Sequence, residues 1–233
     1  CDVYRQSDKW DNELKLCKIL LDQNRNRPRV RAECFKRLGN IYNYKAEYER
    51  SIKYFVRAYD IYRSLNEVRE ILVIKEKIAK VHMYTGKYKE AYMEYTEIYQ
   101  TSLSNGYHLE FQRSLNALGI VENKLGNYVS GAKLLFEYYQ IAKKNSDLIS
   151  MSRALINMGE SYFYLGNMKK TEQIFNEALT ILKKSQKKQE VLACMGNLGA
   201  IYYMDGDFDL ALQYCRRQLT GFIELGDAAG VAR

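Results

Sequence analysis

A short motif that the chain repeats decides the fold. Residues 198–211 read LGAIYYMDGDFDLA, and residues 38–51 read LGNIYNYKAEYERS. Both stretches begin with a Leu-Gly pair, carry a tyrosine four residues after the leucine and end on a small residue. Their starts differ by 160 residues, which is four times 40. This spacing predicts further copies that start at positions 78, 118 and 158.

Copies of the motif are found at those three positions, with His82 and Glu122 in place of the tyrosine in two of them. A pair of a large apolar and a small residue starts at each of them, so five units share a period of 40 residues. Glycines keep the same period at Gly86, Gly126, Gly166 and Gly206, with Ala46 in the first copy. Two further columns hold a small residue and then, in four of five copies, a large apolar one: Ser51, Ala91, Gly131, Thr171 and Ala211, then Phe55, Tyr95, Leu135, Phe175 and Cys215. Columns kept in register over five copies predict a repeat protein.

The spacing inside each unit predicts two helices. Apolar residues recur at intervals of three and four, which is typical of helices. The periodic glycine interrupts this pattern, and a glycine with positive φ can end a helix. Each unit is therefore predicted to be a hairpin of helix A, with the Leu-Gly pair, and helix B, with the small and aromatic columns. In the third unit we expect helix A over 109–124 and helix B over 128–144.

Composition agrees with a packed helical protein and limits the classes of function. Apolar residues make up 47% of the chain and charged residues 27%, so the chain can bury a core. One proline is too few for the turns of a β-sandwich. No apolar run reaches the roughly 20 residues of a membrane span. Five sparse cysteines without CxxC spacing indicate reduced thiols and a cytoplasmic setting.

The columns resemble the tetratricopeptide repeat (TPR) over roughly residues 32–233. The 40-residue unit is similar to those of LGN/Pins adaptors, kinesin light chains and bacterial peptide-sensing regulators. The resemblance implies an all-α, right-handed α-solenoid of stacked antiparallel helix hairpins. The expected units are 32–71, 72–111, 112–151, 152–191 and 192–231, continuing beyond the fragment.

Both ends of the array carry separate expectations. In residues 1–31 an apolar stripe through Trp10, Leu14 and Cys17 predicts a helix, either an orphan helix B or a capping helix. At the other end, residues 228–233 would begin another helix A. Without a polar cap, the apolar face around Leu212, Leu219 and Phe222 is expected to favour self-association.

No catalytic motif is present, so we expect a protein that is not an enzyme. The sequence contains no P-loop, no GxGxxG after a strand, no HExxH and no GxSxG. With only two histidines, His82 and His108, and scattered cysteines, we expect no metal site and no cofactor.

The resemblance implies that the A helices line a concave groove that binds peptides. The residues expected to line it are cationic or carry amides: Lys36, Arg37, Asn40, Asn43, Lys77, Lys80, Arg113, Asn116, Asn123, Arg153, Asn157 and Asn197. Among the positions expected to line the groove, cations outnumber carboxylates, and the chain as a whole carries a formal charge of +8. Amides can bond a peptide backbone as donor and acceptor. A scaffold that binds an acidic peptide segment of a partner protein is the function these residues favour.

Three alternatives are compatible with the sequence. One is a ligand-responsive TPR regulator, a peptide sensor whose output domain lies outside the fragment. Another is a clamp for a C-terminal carboxylate, which Lys36, Asn40 and Arg113 match and Lys77 and Ala117 do not. The third is an RNA-binding solenoid that uses basic runs at residues 25–31 and 183–188. The lysine run has no aromatic residue to stack on bases, which argues against RNA.

Overall fold

The fold is all-α throughout the part of the chain that is described. The computed structural model describes residues 2–227 and residue 230, with side chains from Trp10 onward. The expected start of another helix A after 227 thus lies almost wholly outside the described residues. Within them the helices are α1 (Asp2–Gln23), α2 (Pro28–Tyr44), α3 (Tyr48–Ser64), α4 (Val68–Tyr84), α5 (Tyr88–Ser104), α6 (His108–Lys124), α7 (Tyr128–Lys144), α8 (Leu148–Tyr164), α9 (Met168–Lys184), α10 (Lys188–Asp205) and α11 (Phe208–Glu224).

The helices keep the period of the sequence. The even-numbered helices α2 to α10 are the A helices and begin at 28, 68, 108, 148 and 188; the odd-numbered helices α3 to α11 are the B helices. The third A helix begins at His108, one residue before the expected start, and its partner spans Tyr128–Lys144 as expected. Each expected unit start falls four residues inside an A helix. The predicted all-α solenoid class is confirmed.

The chain also divides into two compact parts, called unit 1 and unit 2, each of which is longer than one 40-residue repeat. Unit 1 comprises Cys1–Ser114 and unit 2 comprises Leu115–Arg233. The division falls inside α6, so the third A helix contributes residues to both units.

The turns explain why the helices end at regular intervals. The backbone N–H of Glu47 donates to the carbonyl of Tyr42 over 2.9 Å, and Lys87 donates to His82 over 2.8 Å. These bonds close the last turn of each A helix and require a residue of positive φ just before the donor. Gly86 has a φ of 73°, as its column predicted, and Ala46 adopts 57° at the equivalent place.

Close contacts between A and B helices form the core of each hairpin. A Cβ added to Gly39 would lie 2.5 Å from the ring of Phe55, and one added to Gly159 would overlap the ring of Phe175. The hydroxyl of Ser51 donates to the carbonyl of Gly39 over 2.8 Å. The Leu-Gly pair therefore faces the aromatic column, and glycine is what lets the ring approach the A helix.

The first helix packs on the first hairpin through an aromatic contact. Trp10 of α1 stacks on Tyr44 with 4.9 Å between ring centroids. Further along the chain, the ring centroid of Tyr48 on the B helix α3 lies 6.4 Å from that of Tyr84 on the A helix α4. Trp10 thus occupies the place against Tyr44 that a B-helix tyrosine occupies further along the chain.

Leucines expected on the last hairpin's open face are exposed in the structure. Leu212 is 50% exposed and Leu219 is 45% exposed, and both lie on α11. Association of the chain through this surface stays a prediction.

Candidate functional site

The candidate site is the surface of the A helices that carries the expected groove residues. In unit 1 this surface, called the unit 1 A face, holds Glu33, Lys36, Arg37, Asn40, Asn43, Glu76, Lys77, Lys80 and Arg113. The unit 2 A face holds Asn116, Asn123, Lys124, Arg153, Asn157, Glu160 and Asn197. Helical spacing brings the members on one helix together, because residues three or four positions apart share a face.

Lys36 is held by carboxylates of its own unit. Its Nζ lies 2.7 Å from Glu33 and 3.0 Å from Glu70 of the next A helix. The hydroxyl of Tyr62 donates to Glu33 over 3.2 Å. Burial opposes charging of Lys36, but hydrogen bonds to Glu33 and Glu70 outweigh it and raise its pKa. In the free protein the Lys36 side chain therefore connects α2, α3 and α4 through these contacts.

Two further cations of the unit 1 A face have carboxylate partners. Arg37 lies 3.7 Å from Glu33 and 3.9 Å from Glu13 of α1. Lys80 is paired with Glu76 one helical turn earlier, while its side chain stays 53% exposed. Exposed pairs of this kind contribute little to stability, so Lys80 can exchange Glu76 for a ligand at small cost.

Lys77 and Arg113 differ from their neighbours. Neither makes an ion pair with any carboxylate among residues 10–227. Arg113 is exposed on α6, whereas Lys77 is partly buried on α4. Burial lowers the pKa of Lys77, and the charges of Lys80 and Lys36 lower it further.

The amides of the unit 1 A face are partly buried. Asn40 and Asn43 lie three residues apart on α2, so they share a face. The Oδ1 atom of Asn43 is buried and accepts no hydrogen bond from the described residues. A buried acceptor without a donor is destabilising unless a donor is supplied.

In unit 2 three amides are joined to each other. Asn157 donates from Nδ2 to Oδ1 of Asn116 over 3.0 Å. Asn123 donates to the carbonyl of Asn157 over 3.2 Å and accepts from the hydroxyl of Ser161 over 2.9 Å. Asn123 is only 5% exposed, because Gly131 on the neighbouring B helix leaves room for its side chain. Asn123 thus acts in the structure as a link between α6 and α8.

A cavity of about 230 Å³ opens on the unit 2 A face between α8 and α10. Asn157 and Asn197, both expected site residues, lie in its wall beside Glu160 and Tyr164. The remaining lining is apolar: Ile156, Phe163, Phe175, Ala200, Ile201 and Met204. Sequence reasoning selected the polar members only. Phe163 and Met204 lie five and six residues after the first residue of the Leu-Gly-like pair in their helices. The expected groove residues keep the same spacings from that pair, so this spacing was the signal for the two apolar residues.

The charges of the unit 2 A face are fewer. Lys124 lies 2.8 Å from Glu160. Arg153 is exposed on α8, and Asn197 is exposed on α10. This face therefore presents amides and apolar side chains more than charge.

Two other classes of site do not occur among the described residues. No group of three or more His, Cys, Asp or Glu side chains there is arranged to hold a metal ion. No helix among residues 2–227 has both the length and the apolar character to cross a membrane.

Comparison with known families adds to the geometry. A tetratricopeptide-repeat family model matches residues 150–221. The model of the soluble NSF attachment protein, SNAP, matches residues 15–109. These matches support the predicted assignment to the tetratricopeptide-repeat superfamily. The TPR columns quoted from residues 198–211 lie within the first match. No curated protein matches the sequence significantly.

Solved structures of the same fold cover nearly the whole TPR array. BtubC (BKLC) from P. vanneervenii is 15% identical, with a TM-score of 0.74 over 97% of this chain and 93% of that one. The apo form of RapI is 14% identical, with a TM-score of 0.72 over 92% and 91%. A putative kinesin light chain of Podosopora anserina is 15% identical, with a TM-score of 0.69 over 85% and 97%. At this level of identity the likeness shows the fold.

Proposed function

We propose that this chain is a non-enzymatic protein–protein interaction scaffold whose A helices bind an acidic peptide segment of a partner protein. The observation that carries the proposal is the cationic unit 1 A face. Three successive A helices contribute cations there, and Lys77 and Arg113 have no carboxylate partner among residues 10–227. Complementary charge steers a partner toward such a face and sets its register.

The unit 2 A face supports a peptide as the ligand. The exposed amide of Asn197 stands beside a cavity of about 230 Å³ with a largely apolar wall. An amide can bond a peptide backbone, while the cavity has room for an apolar side chain. A peptide offers both groups at neighbouring positions, as a nucleic acid backbone does not.

Solved relatives of the fold also support a peptide. One is a Rap protein complexed with competence and sporulation factor, 15% identical with a TM-score of 0.72. Another is the Rap conjugation gene regulator of plasmid pLS20 in complex with the Phr* peptide, 16% identical with a TM-score of 0.67. The chain spans 57% and 55% of those proteins. In the second of these proteins the same fold therefore binds a peptide.

These two complexes also favour a second candidate, a peptide-responsive TPR regulator. In that case the peptide is the signal, and its binding changes a domain outside this chain. The two candidates share the binding face and differ in the consequence of binding. A peptide that binds this chain with the same affinity in the presence and absence of the rest of the protein argues against the regulator, because coupling between sites is reciprocal.

Charge reversal on the unit 1 A face tests the proposal. The double variant Lys80→Glu/Arg113→Glu removes two cations from positions outside the packing columns. Charge-assisted contacts contribute about 1.5–3 kcal/mol each when well formed. We expect a loss of at least about 2 kcal/mol, roughly thirty-fold in affinity. The salt dependence of binding should weaken with it, because salt screens the attraction.

The measurement is a titration of a partner first captured from cell extract. The matched control, Lys183→Glu/Lys184→Glu, reverses two exposed lysines at the end of α9. Thermal unfolding followed by circular dichroism checks that both variants stay folded. If the control abolishes binding and the A-face variant keeps full affinity, the binding surface lies elsewhere. Binding of single-stranded RNA that collapses with rising salt would favour the RNA-binding alternative.

A further inference from the structure

One cation of the unit 1 A face is placed without a counterion. Lys77 lies on α4, partly buried, one helical turn before the exposed Lys80. Its neighbours Lys36 and Lys80 each have carboxylates within 3.0 Å, whereas Lys77 makes no ion pair with any residue from 10 to 227. The fold therefore pairs Lys36 and Lys80 with carboxylates and leaves Lys77 without an ion pair of its own.

This arrangement is unfavourable for the free protein. Burial disfavours the charged form of a lysine, and neighbouring cations disfavour it further. Burial is the main reason that the pKa of Lys77 is lowered, followed by Lys80. The carboxylates of Glu76 and Glu33 act in the opposite sense but are engaged by Lys80 and Lys36. An anion from outside would remove the imbalance.

We propose that Lys77 binds one side-chain carboxylate of the peptide. This carboxylate belongs to an Asp or Glu that the partner inserts between α2 and α4. This inference rests on the proposed function and specifies the chemistry of its central contact. One carboxylate carries the single negative charge that is needed to pair with the ammonium group of Lys77. A phosphate with two charges would leave one of them unpaired, since Lys36 and Lys80, the cations that act on Lys77, already have carboxylate partners.

Stability and binding are expected to respond in opposite directions at this position. Lys77→Met removes a charge that the fold does not compensate, so thermal stability should stay equal or rise. Lys36→Met is the matched control, because it leaves Glu70 without its cation and Glu33 with Arg37 alone, and it should lower thermal stability. A residue kept for packing alone would not show a loss of binding together with a gain in stability.

The affinity should also depend on pH with a defined sign. A carboxylate bound at Lys77 raises the pKa of that amine above its value in the free protein. Affinity is therefore full below the pKa of free Lys77 and falls as pH rises through the pKa of the complex. Lys36, Lys80, Glu33 and Glu76 are the charged groups that act on Lys77 in the free protein.

The experiment uses a short oligoglutamate peptide as the probe and oligoglutamine of the same length as its control. Fluorescence anisotropy gives the affinity, and thermal unfolding gives Tm, for the native chain, Lys77→Met, Lys77→Arg and Lys36→Met. We expect Lys77→Met to weaken oligoglutamate binding by about tenfold without lowering Tm, and Lys77→Arg to retain most of the affinity. Oligoglutamine should bind weakly to all four.

Two results would overturn the inference, and they differ in what they say about the proposed function. If Lys77→Met keeps the native affinity while Lys80→Glu/Arg113→Glu loses it, the unit 1 A face binds acid without Lys77. If the native chain does not bind oligoglutamate at all, the inference that Lys77 binds a carboxylate is wrong. The titration of the captured partner with the charge-reversal pair then decides the proposed function separately.

Discussion

The two units share one set of packing columns and differ in the surfaces that those columns support. On the unit 1 A face the cations Lys36, Arg37 and Lys80 are held by carboxylates, and Lys77 is not. On the unit 2 A face amides bond each other, and a cavity with an apolar wall opens between α8 and α10. The Leu-Gly, small and aromatic columns therefore determine the fold, while the positions between them are free to determine chemistry.

The same contrast extends into the interior at one column. Lys75 is only 8% exposed, and its Nζ lies 2.9 Å from Glu94 and 2.7 Å from Glu97. The equivalent residues of unit 2 include Leu115 and Leu155, which are 0% and 2% exposed. Burial alone would lower the pKa of Lys75, but hydrogen bonds to Glu97 and Glu94 raise it. Unit 1 thus buries a charge, with its partners, where unit 2 buries a leucine.

The largest expected effect comes from moving that lysine into unit 2. Leu155→Lys places a cation at a buried position where Ile174 stands in the column of Glu94, and Glu177, in the column of Glu97, already accepts a hydrogen bond from Tyr139. A buried lysine that lacks one of its two carboxylates is destabilising. We expect a loss of about 3 kcal/mol in the free energy of unfolding, measured by urea denaturation. Much of unit 2 should then unfold at low denaturant.

A second substitution provides the control for this prediction. Ile174→Glu supplies the second carboxylate, so Leu155→Lys/Ile174→Glu should recover part of the loss. Ile174→Glu alone should be destabilising, because it buries an acid without a cation. If Leu155→Lys costs less than about 1 kcal/mol, the position accepts a lysine without carboxylates, and the contrast between the units has another cause.

How far the sequence predicts the fold depends on the strength of its columns. Five copies of one register placed the third A helix within one residue of its start, and the periodic glycines placed the turns. Each of these features depends on residues close together in the chain. Local periodicity and a special φ are therefore visible in the sequence alone.

The candidate site was less predictable because its contacts join distant residues. Lys36 meets Glu70 across 34 positions, which no spacing within one helix reveals. Asn123 was expected on the groove surface and is buried instead, in use by Asn157 and Ser161. Gly131 in the small column was the one local signal, since a side chain there would overlap Asn123. Reading that signal needed the distance between two helices.

The next effect in size tests the amide links of unit 2. Asn123→Ala removes the acceptor of the Ser161 hydroxyl and a donor to the carbonyl of Asn157. Leaving buried polar groups unpaired costs about 1–3 kcal/mol, so we expect a loss near 2 kcal/mol in the free energy of unfolding. Asn197→Ala, on the exposed side of α10, should change it by less than about 0.5 kcal/mol. Equal effects of the two variants in urea denaturation would show that the amide links do not stabilise unit 2.

The smallest effect concerns the turns, where Ala46 of unit 1 stands in a column that holds glycine at Gly86 of the same unit and at Gly166 of unit 2. Ala46 adopts a φ of 57° and Gly166 a φ of 73°. The left-handed conformation disfavours alanine by about 1–2 kcal/mol, while glycine loses about 0.5–1 kcal/mol more in chain entropy on folding. Ala46→Gly should therefore stabilise unit 1 by about 0.5–1 kcal/mol, and Gly166→Ala should destabilise unit 2 by a similar amount. A Cβ at Gly166 meets nothing within 4 Å, so backbone conformation alone decides the result there. Differential scanning calorimetry of both variants gives the comparison. If both substitutions shift Tm in the same direction, the turn conformation is not what distinguishes alanine from glycine at this column.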